Sequence, residues 1–300
     1  MNVVVTGSTG LIGSALVSFL KGGGHQIRCV SRVGPASRVD GDCWDPDSGR
    51  MSDDSVAGVD AVIHLCGAGI ANRRWSAARK RQLRSSRIES TRLLSETLAR
   101  ASSPPRVLVC ASAIGFYGSR GDERLTETAA QGDGFLADLC QAWEAAAEPA
   151  RVGGLRVVHL RIGVVLSSAG GALRMMLPAF KAGVGGVLGS GEQYMSWVAM
   201  DDLLEIILAA LTDEGMKGPV NAVSPGAVTN REFTKTLGRV LRRPTIVPVP
   251  GFAIRTLFGE MGKETLLAST RVEPTVLTER GFSNSYPILE GALRHLLYRA

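Results

Sequence analysis

Gly7, Thr9, Gly10, Leu11, Ile12 and Gly13 belong to one run, Gly7-Ser8-Thr9-Gly10-Leu11-Ile12-Gly13, set between the strand-like Asn2-Val3-Val4-Val5-Thr6 and an apolar helical repeat. Glycine has no Cβ, so such a turn permits positive φ, close approach of phosphate oxygens and tight packing of helix on strand. The helix that follows offers unpaired N–H donors at its start. The chemistry this spacing supports is anion binding, in particular the pyrophosphate of a dinucleotide. The strand–turn–helix–strand context favours that over a purely structural glycine turn.

A second pair of residues with chemistry in it follows the strand expected over 26–31. Where an NAD-preferring site presents an acidic side chain to the ribose hydroxyls, this chain has Ser31-Arg32, and no carboxylate occurs between Lys21 and Val39. A hydroxyl followed by a guanidinium can hydrogen-bond and neutralise a 2′-phosphate, and the guanidinium can stack on adenine. NADP rather than NAD is therefore the expected cofactor. The bland reading keeps Arg32 as a solvated loop residue.

The elements that must carry these residues are legible in the periodicity. Leu11, Ile12, Ala15, Leu16, Phe19 and Leu20 repeat helically until Lys21, and Gly22-Gly23-Gly24 stops them. Strand-like runs recur at 61–66, 106–112 and 155–161, with helical patterns at 76–101 and 135–151 between them. That alternation predicts an α/β fold, a doubly wound parallel Rossmann sheet. The strand endings Leu65-Cys66-Gly67-Ala68-Gly69 and Cys110-Ala111-Ser112-Ala113 carry small residues, so the cleft is expected there, at the carboxyl edge. After Arg161 the rhythm loosens around Gly170-Gly171 and Gly183-Val184-Gly185-Gly186, which surround a short helix. A helix from Asp201 and a strand near 220–223 resume the core, and Thr229-Asn230-Arg231-Glu232 reads as a capping box. The expected domains are a nucleotide-binding domain over 1–165, completed by about 199–224, and a smaller, mainly helical C-terminal substrate lobe from 166–198 and 225–300.

Three hundred residues with 45% hydrophobic content suffice for a large core. The apolar stretch 61–71 is interrupted by His64 and too short to span a bilayer, so a soluble cytoplasmic protein is the default expectation. Cys29, Cys43, Cys66, Cys110 and Cys140 form neither a CxxC pair nor a metal-ligand pattern and read as buried reduced thiols. His25, His64, His159 and His295 are scattered, and no metal is expected. The net charge of +6 is concentrated: Arg73, Arg74, Arg79, Lys80, Arg81, Arg84 and Arg87 fall in one acid-free stretch, 71–88. A solvated helix face with one or two members turned toward cofactor phosphate or an acidic substrate is the expectation. Nucleic-acid binding is the less favoured reading, since Trp75 is the one aromatic in the stretch. The oligomeric state is unreadable.

Thr6-Gly7-Xaa-Xaa-Gly10-Xaa-Xaa-Gly13, a serine ending the central strand and the late Asp201-Asp202 helix start together resemble an extended short-chain dehydrogenase/reductase. Arg73-Arg74-Trp75, Ser86-Arg87-Ile88, Gly115-Phe116-Tyr117-Gly118, Trp143-Glu144, Arg161-Ile162-Gly163-Val164-Val165-Leu166, Ser196-Trp197 and Arg271-Val272 with Pro274 resemble its atypical "epimerase family" branch, also described as cell-division-inhibitor-like. The resemblance implies NADP binding. It places Ser31 and Arg32 at the adenosine phosphate, Leu65, Cys66 and Gly67 beside the pyrophosphate, Gln82 and Arg87 on the following helix, and Val164 near the nicotinamide end. Each of these residues also admits a packing or surface role.

Enzymes of that class use a Tyr-x-x-x-Lys pair, in which lysine lowers the tyrosine pKa for proton transfer. None of Tyr117, Tyr194, Tyr286 and Tyr298 has a lysine four residues on, and the positions expected for the pair fall on Leu136 and Cys140. Ser112 and Tyr117 are the substitute catalytic candidates, for substrate orientation and proton donation, with a strand-end cap and a packing residue as their bland counterparts. Glu144 is either a proton acceptor or a partner of Arg151 or Arg161. The expected function is an NADP(H)-dependent oxidoreductase or epimerase-like protein of atypical mechanism, acting on an unidentified carbonyl, alcohol or nucleotide-sugar-like small molecule. Trp197 and Met175-Met176 are expected near the cleft. The competing reading is a non-catalytic NADPH-binding sensor or regulatory scaffold.

Overall fold

The computed structural model describes residues 1–33 and 42–298, so the end of the carboxylate-free stretch after Lys21 lies outside the described residues. Along the chain come β1 (Asn2–Thr6), α1 (Leu11–Gly22), β2 (Gln26–Arg32), β3 (Cys43–Asp45), β4 (Arg50–Met51), β5 (Ala61–His64), α2 (Ala77–Arg100), β6 (Val107–Ala113), β7 (Arg124–Leu125), α3 (Phe135–Ala145), α4 (Glu148–Val152) and β8 (Arg156–Ile162). They continue with β9 (Val164–Leu166), α5 (Gly171–Lys181), β10 (Tyr194–Met195), β11 (Trp197–Ala199), α6 (Met200–Thr212), β12 (Gly218–Ala222), β13 (Val228–Thr229), α7 (Asn230–Leu241), α8 (Gly251–Thr265), β14 (Arg271–Val272), α9 (Thr275–Glu279) and α10 (Leu289–Tyr298).

The main sheet runs β12-β8-β6-β5-β1-β2-β3-β4. Its pairs are parallel except β3–β4. The β1 core residues Val3, Val4 and Val5 are fully buried from both faces, as expected for a parallel sheet covered by helices on each side. One layer joins α1 and α6 to the sheet through Leu16, Leu20, Leu203 and Ile207. The other joins α2 and α4 through Leu94, Leu98 and Ala150. From β1 the chain passes outward through β2, β3 and β4 on one side and then crosses back to β5 on the other, so the crevice between β1 and β5 is the switch point at which such sheets bind ligands.

Two expectations need correcting. The helix expected over 135–151 is two helices, because Pro149 sits at the first turn of α4 and a proline, lacking the N–H, starts a helix rather than continuing one. The thiols are free, but only Cys110 and Cys140 are buried, while Cys29, Cys43 and Cys66 are partly exposed. The capping box is present, with Thr229 and Glu232 bonding reciprocally at the start of α7. In the C-terminal part, β9 pairs with β11, β10 with β13 and β7 with β14, around an apolar cluster that includes Leu173, Phe180, Phe233 and Leu293. No helix among the described residues is long and apolar enough to cross a membrane.

Candidate functional site

The glycine turn is shaped for backbone contact. Gly7 has φ +75°, and a Cβ there would stand 2.8 Å from the Leu65 carbonyl carbon, while one at Gly13 would overlap the Gly7 carbonyl oxygen. Any side chain at either position would separate α1 from β1 or β5. Gly10 caps α1 without a side-chain bond, and the first turn carries no acidic residue, so its N–H groups are left for an outside acceptor. Thr9 and Gly10 are exposed, and Leu11 and Ile12 half-buried. The Leu11 side chain also packs on the Gly170-Gly171 turn that opens α5. These features fit a dinucleotide's diphosphate.

Ser31 and Arg32 end β2, exposed, one strand from that turn. Among the described residues the Arg32 guanidinium makes a loose 3.7 Å pair with Asp47, both side chains largely in solvent, a contact of the kind that contributes little. Leu65 bonds its N–H to the Thr6 carbonyl at 3.1 Å. Burial pushes the Cys66 thiol up, against the opposing pull of a Thr6 hydrogen bond and the nearby Arg32 charge. Beneath them His64 is held between Thr6 Oγ1 at 2.7 Å and Ser90 Oγ at 3.3 Å, and burial lowers its pKa to about 3. The structure thus brings the glycine turn, Ser31, Arg32, Leu65, Cys66 and Gly67 to one edge.

The remaining proposed contacts are placed differently. Arg87 is buried, with Nη2 donating to the Ala68 carbonyl at 3.0 Å and Nη1 to the Leu83 carbonyl at 3.3 Å. Its guanidinium lies 5.0 Å from the Trp143 ring centroid, and burial lowers its pKa to about 10. Gln82 is exposed, and its Oε1 accepts from Arg79 Nη1 at 2.6 Å. Val164 is half-buried in β9, its N–H donating to the Ser196 carbonyl at 2.9 Å.

Ser112 and Tyr117 join one buried network. Ser112 Oγ donates to Glu144 Oε1 at 2.7 Å, and Arg161 grips both oxygens of that carboxylate at 2.9 Å. Tyr117 donates to Asn221 Oδ1 at 2.7 Å and accepts from Arg161 at 3.0 Å. Phe116 lies 3.5 Å from the same guanidinium carbon. Burial raises the Tyr117 pKa despite the Arg161 charge. With zero exposure and both oxygen functions engaged, Tyr117 is part of the core rather than the cleft wall. Glu144 pairs with Arg161, and Arg151 pairs instead with Glu148. A Cβ at Gly115 would meet Leu136 Cβ at 3.1 Å and Cys140 Sγ at 3.7 Å. The two positions expected for the proton-transfer pair therefore do face the loop after β6, but with apolar groups. The Cys140 thiol is pushed up to about 12 by burial, and the Glu144 charge adds to the effect, so it stays protonated.

Trp197 is fully buried, donating to the Gly226 carbonyl at 2.8 Å, so it supports the lobe and does not line the cleft. Met175 is exposed and Met176 partly so. Sequence reasoning missed Asn221 and Glu127, which anchor Tyr117 and the backbone of β12 and α9. Their signal, a polar residue inside an apolar strand and an acid in a loop, is too generic to find them. Among the described residues, no group of three or more His, Cys, Asp or Glu could hold a metal.

Comparison with known proteins matches residues 3–222 to the NAD dependent epimerase/dehydratase family and 249–296 to a domain of unknown function, DUF1731. The chain is 43% identical over 297 residues to epimerase family protein Mb2239 of Mycobacterium bovis, covering 99% of this chain and 98% of that one. The crystal structure of human epimerase family protein SDR39U1 (isoform 2) with NADPH superposes with a TM-score of 0.88 at 31% identity, covering 100% of both chains. The nucleoside-diphosphate sugar epimerase from Corynebacterium glutamicum gives 0.80 at 35% identity, covering 99% of this chain and 58% of that one.

Proposed function

This chain belongs to the NAD dependent epimerase/dehydratase family, and we propose that it is an NADP(H)-dependent oxidoreductase or epimerase-like enzyme of atypical mechanism. The observation that carries the cofactor reading is the side-chain-free cradle at Gly7 and Gly13, with Arg32, loosely paired with Asp47, at the end of the neighbouring strand. The NADPH held by the human relative supports the same preference. Ser31 and Arg32 would take the 2′-phosphate, the turn from Gly7 to Gly13 the diphosphate, and Leu65, Cys66, Gly67 and Val164 would pack along the cofactor. When bound, the nicotinamide supplies hydride acceptance or donation.

The chain's own contribution is a proton path of two groups. Ser112 Oγ receives the proton of a substrate hydroxyl and passes its own to Glu144, with the reverse transfer on reduction of a carbonyl. Arg161 fixes the carboxylate in place. Tyr117 enters as a positioning residue, holding Arg161 from behind. In this reading 166–198 and 225–300 select the substrate, a small carbonyl or alcohol compound. The apolar pair Leu136 and Cys140 favours a second reading, a non-catalytic NADPH sensor.

Turnover separates the two. With bound NADPH, a panel of carbonyl compounds and nucleotide sugars followed at 340 nm is expected to yield a substrate whose kcat falls at least about 100-fold in Ser112→Ala. Turnover indifferent to Ser112→Ala contradicts the proton path, and NADPH binding without turnover across the panel favours the sensor.

A further inference from the structure

Two runs without a single acid, 162–191 and 233–259, meet in the C-terminal lobe. Val249 donates its N–H to the Val187 carbonyl at 2.8 Å and accepts from Gly189 at 2.9 Å, and a Cβ at Gly183 would meet the Pro244 ring at 3.5 Å. The segments 183–189 and 244–249 therefore lie side by side, running in the same direction. Along them Val184, Ile246 and Val247 are 56%, 80% and 45% exposed. Lys181, Arg242 and Arg243 stand in solvent where the two segments begin, and Phe252 and Arg255 do so beyond their far end. Among the described residues none of these four cations pairs with a carboxylate. The acids that flank the two runs are engaged elsewhere, Glu192 with Arg231, Glu232 in the cap of α7 and Glu260 with Lys80.

Neighbouring aliphatic side chains held in water forgo the gain of burial, and a patch of them edged by charge marks a surface that something covers. Arg242 ends α7 at φ +54°, the one residue other than glycine with a positive φ among the described residues. Glycine fits that conformation without a steric penalty, so a positive charge is kept where backbone shape favours no side chain. Pro244, Pro248 and Pro250 have no N–H, which makes the segment a poor template for a strand from another protein. Aliphatic groups at the centre of the patch offer nucleic-acid bases nothing to stack on. Apolar side chains that can enter the boundary between headgroups and acyl chains, flanked by cations that meet the phosphates, match an anionic bilayer. We infer that the ridge formed by 181–184 and 242–247 docks this protein on the surface of an anionic phospholipid membrane. The contact is peripheral, since no helix among the described residues is long and apolar enough to cross a bilayer.

The test is co-sedimentation of the full chain with phosphatidylcholine vesicles containing about 30% phosphatidylglycerol, against vesicles of phosphatidylcholine alone. Wild type is expected to bind the charged vesicles, less so as salt is raised, and to leave the neutral ones in suspension. Ile246→Glu is expected to bind at least about tenfold more weakly with its thermal midpoint unchanged, because the side chain already stands in solvent. Arg242→Gly is expected to bind about fivefold more weakly while its thermal midpoint holds or rises, glycine being at ease at that φ. No binding of wild type to the charged vesicles, equal binding to both kinds, or binding unmoved in both variants overturns the membrane surface. Oligonucleotide binding or self-association that is lost in the same variants, with no vesicle binding, overturns it too and gives the ridge to a nucleic acid or to a second copy of the chain.

Discussion

Among the described residues, guanidinium groups are buried in two places, and the fold treats them in opposite ways. Arg161, on β8, meets both oxygens of Glu144, the Tyr117 hydroxyl and the face of Phe116, and the Glu144 charge raises its pKa in spite of burial. Arg87, on α2, has carbonyl partners and the face of Trp143, and burial carries its pKa down to about 10. The first is a closed framework that supplies its own counter-charge. The second, at the carboxyl edge of the sheet, has no carboxylate partner among the described residues. A buried charge with its complement inside the chain keeps a fixed geometry without a ligand, whereas one with neutral partners alone carries the cost of its burial.

Breaking the closed framework should have the largest effect. Glu144→Ala strands Arg161 without its counter-ion, and a loss of about 3–5 kcal/mol is expected in denaturant unfolding. An unchanged midpoint would place both networks in the same class. The buried imidazole under the cofactor edge comes next. His64 is held neutral, with its pKa lowered from 6.5 to about 3, so the unfolded chain binds more protons between those values. Its contribution to stability is therefore full above about pH 6.5 and is lost as pH falls toward 3, at a slope approaching 1.4 kcal/mol per pH unit. Wild type compared with His64→Asn across that range should show the slope flatten in the variant. Smaller again, Tyr117→Phe removes bonds to Asn221 and Arg161 and should cost about 1–3 kcal/mol. The pH profile of any turnover should stay in place, because a core hydroxyl positions Arg161 and does not deliver the proton. A shifted profile would return Tyr117 to the reacting groups.

What was legible in the sequence follows from range of interaction. The glycine turn, the β1–α1–β2 unit and the strands 106–112 and 155–161 announce themselves through local periodicity and punctuation, and they appear with boundaries shifted by a residue or so. The split between α3 and α4 was signalled by Pro149 but hidden under continuous helical periodicity. The paired strands β3 and β4, and the two- and three-residue pairs of the lobe, are too short to show alternation and exist through partners distant in sequence. Ser112 and Glu144 are 32 residues apart and Tyr117 and Asn221 are 104 apart, so spacing could not join them. The acid-free stretch 71–88 was visible as charge, but which arginines turn inward depends on the helix face packed beneath Gly67 and Gly69.

The central claim is that the carboxyl edge grips a phosphorylated nicotinamide dinucleotide through the glycine turn and Arg32. Titration calorimetry of NADPH and NADH into wild type and Arg32→Ala tests it most directly. The expected result is tight NADPH binding by wild type, with a preference over NADH that shrinks about 10- to 100-fold in the variant while NADH binding holds. Equal affinity of wild type for the two coenzymes, or a preference unmoved by Arg32→Ala, would contradict it.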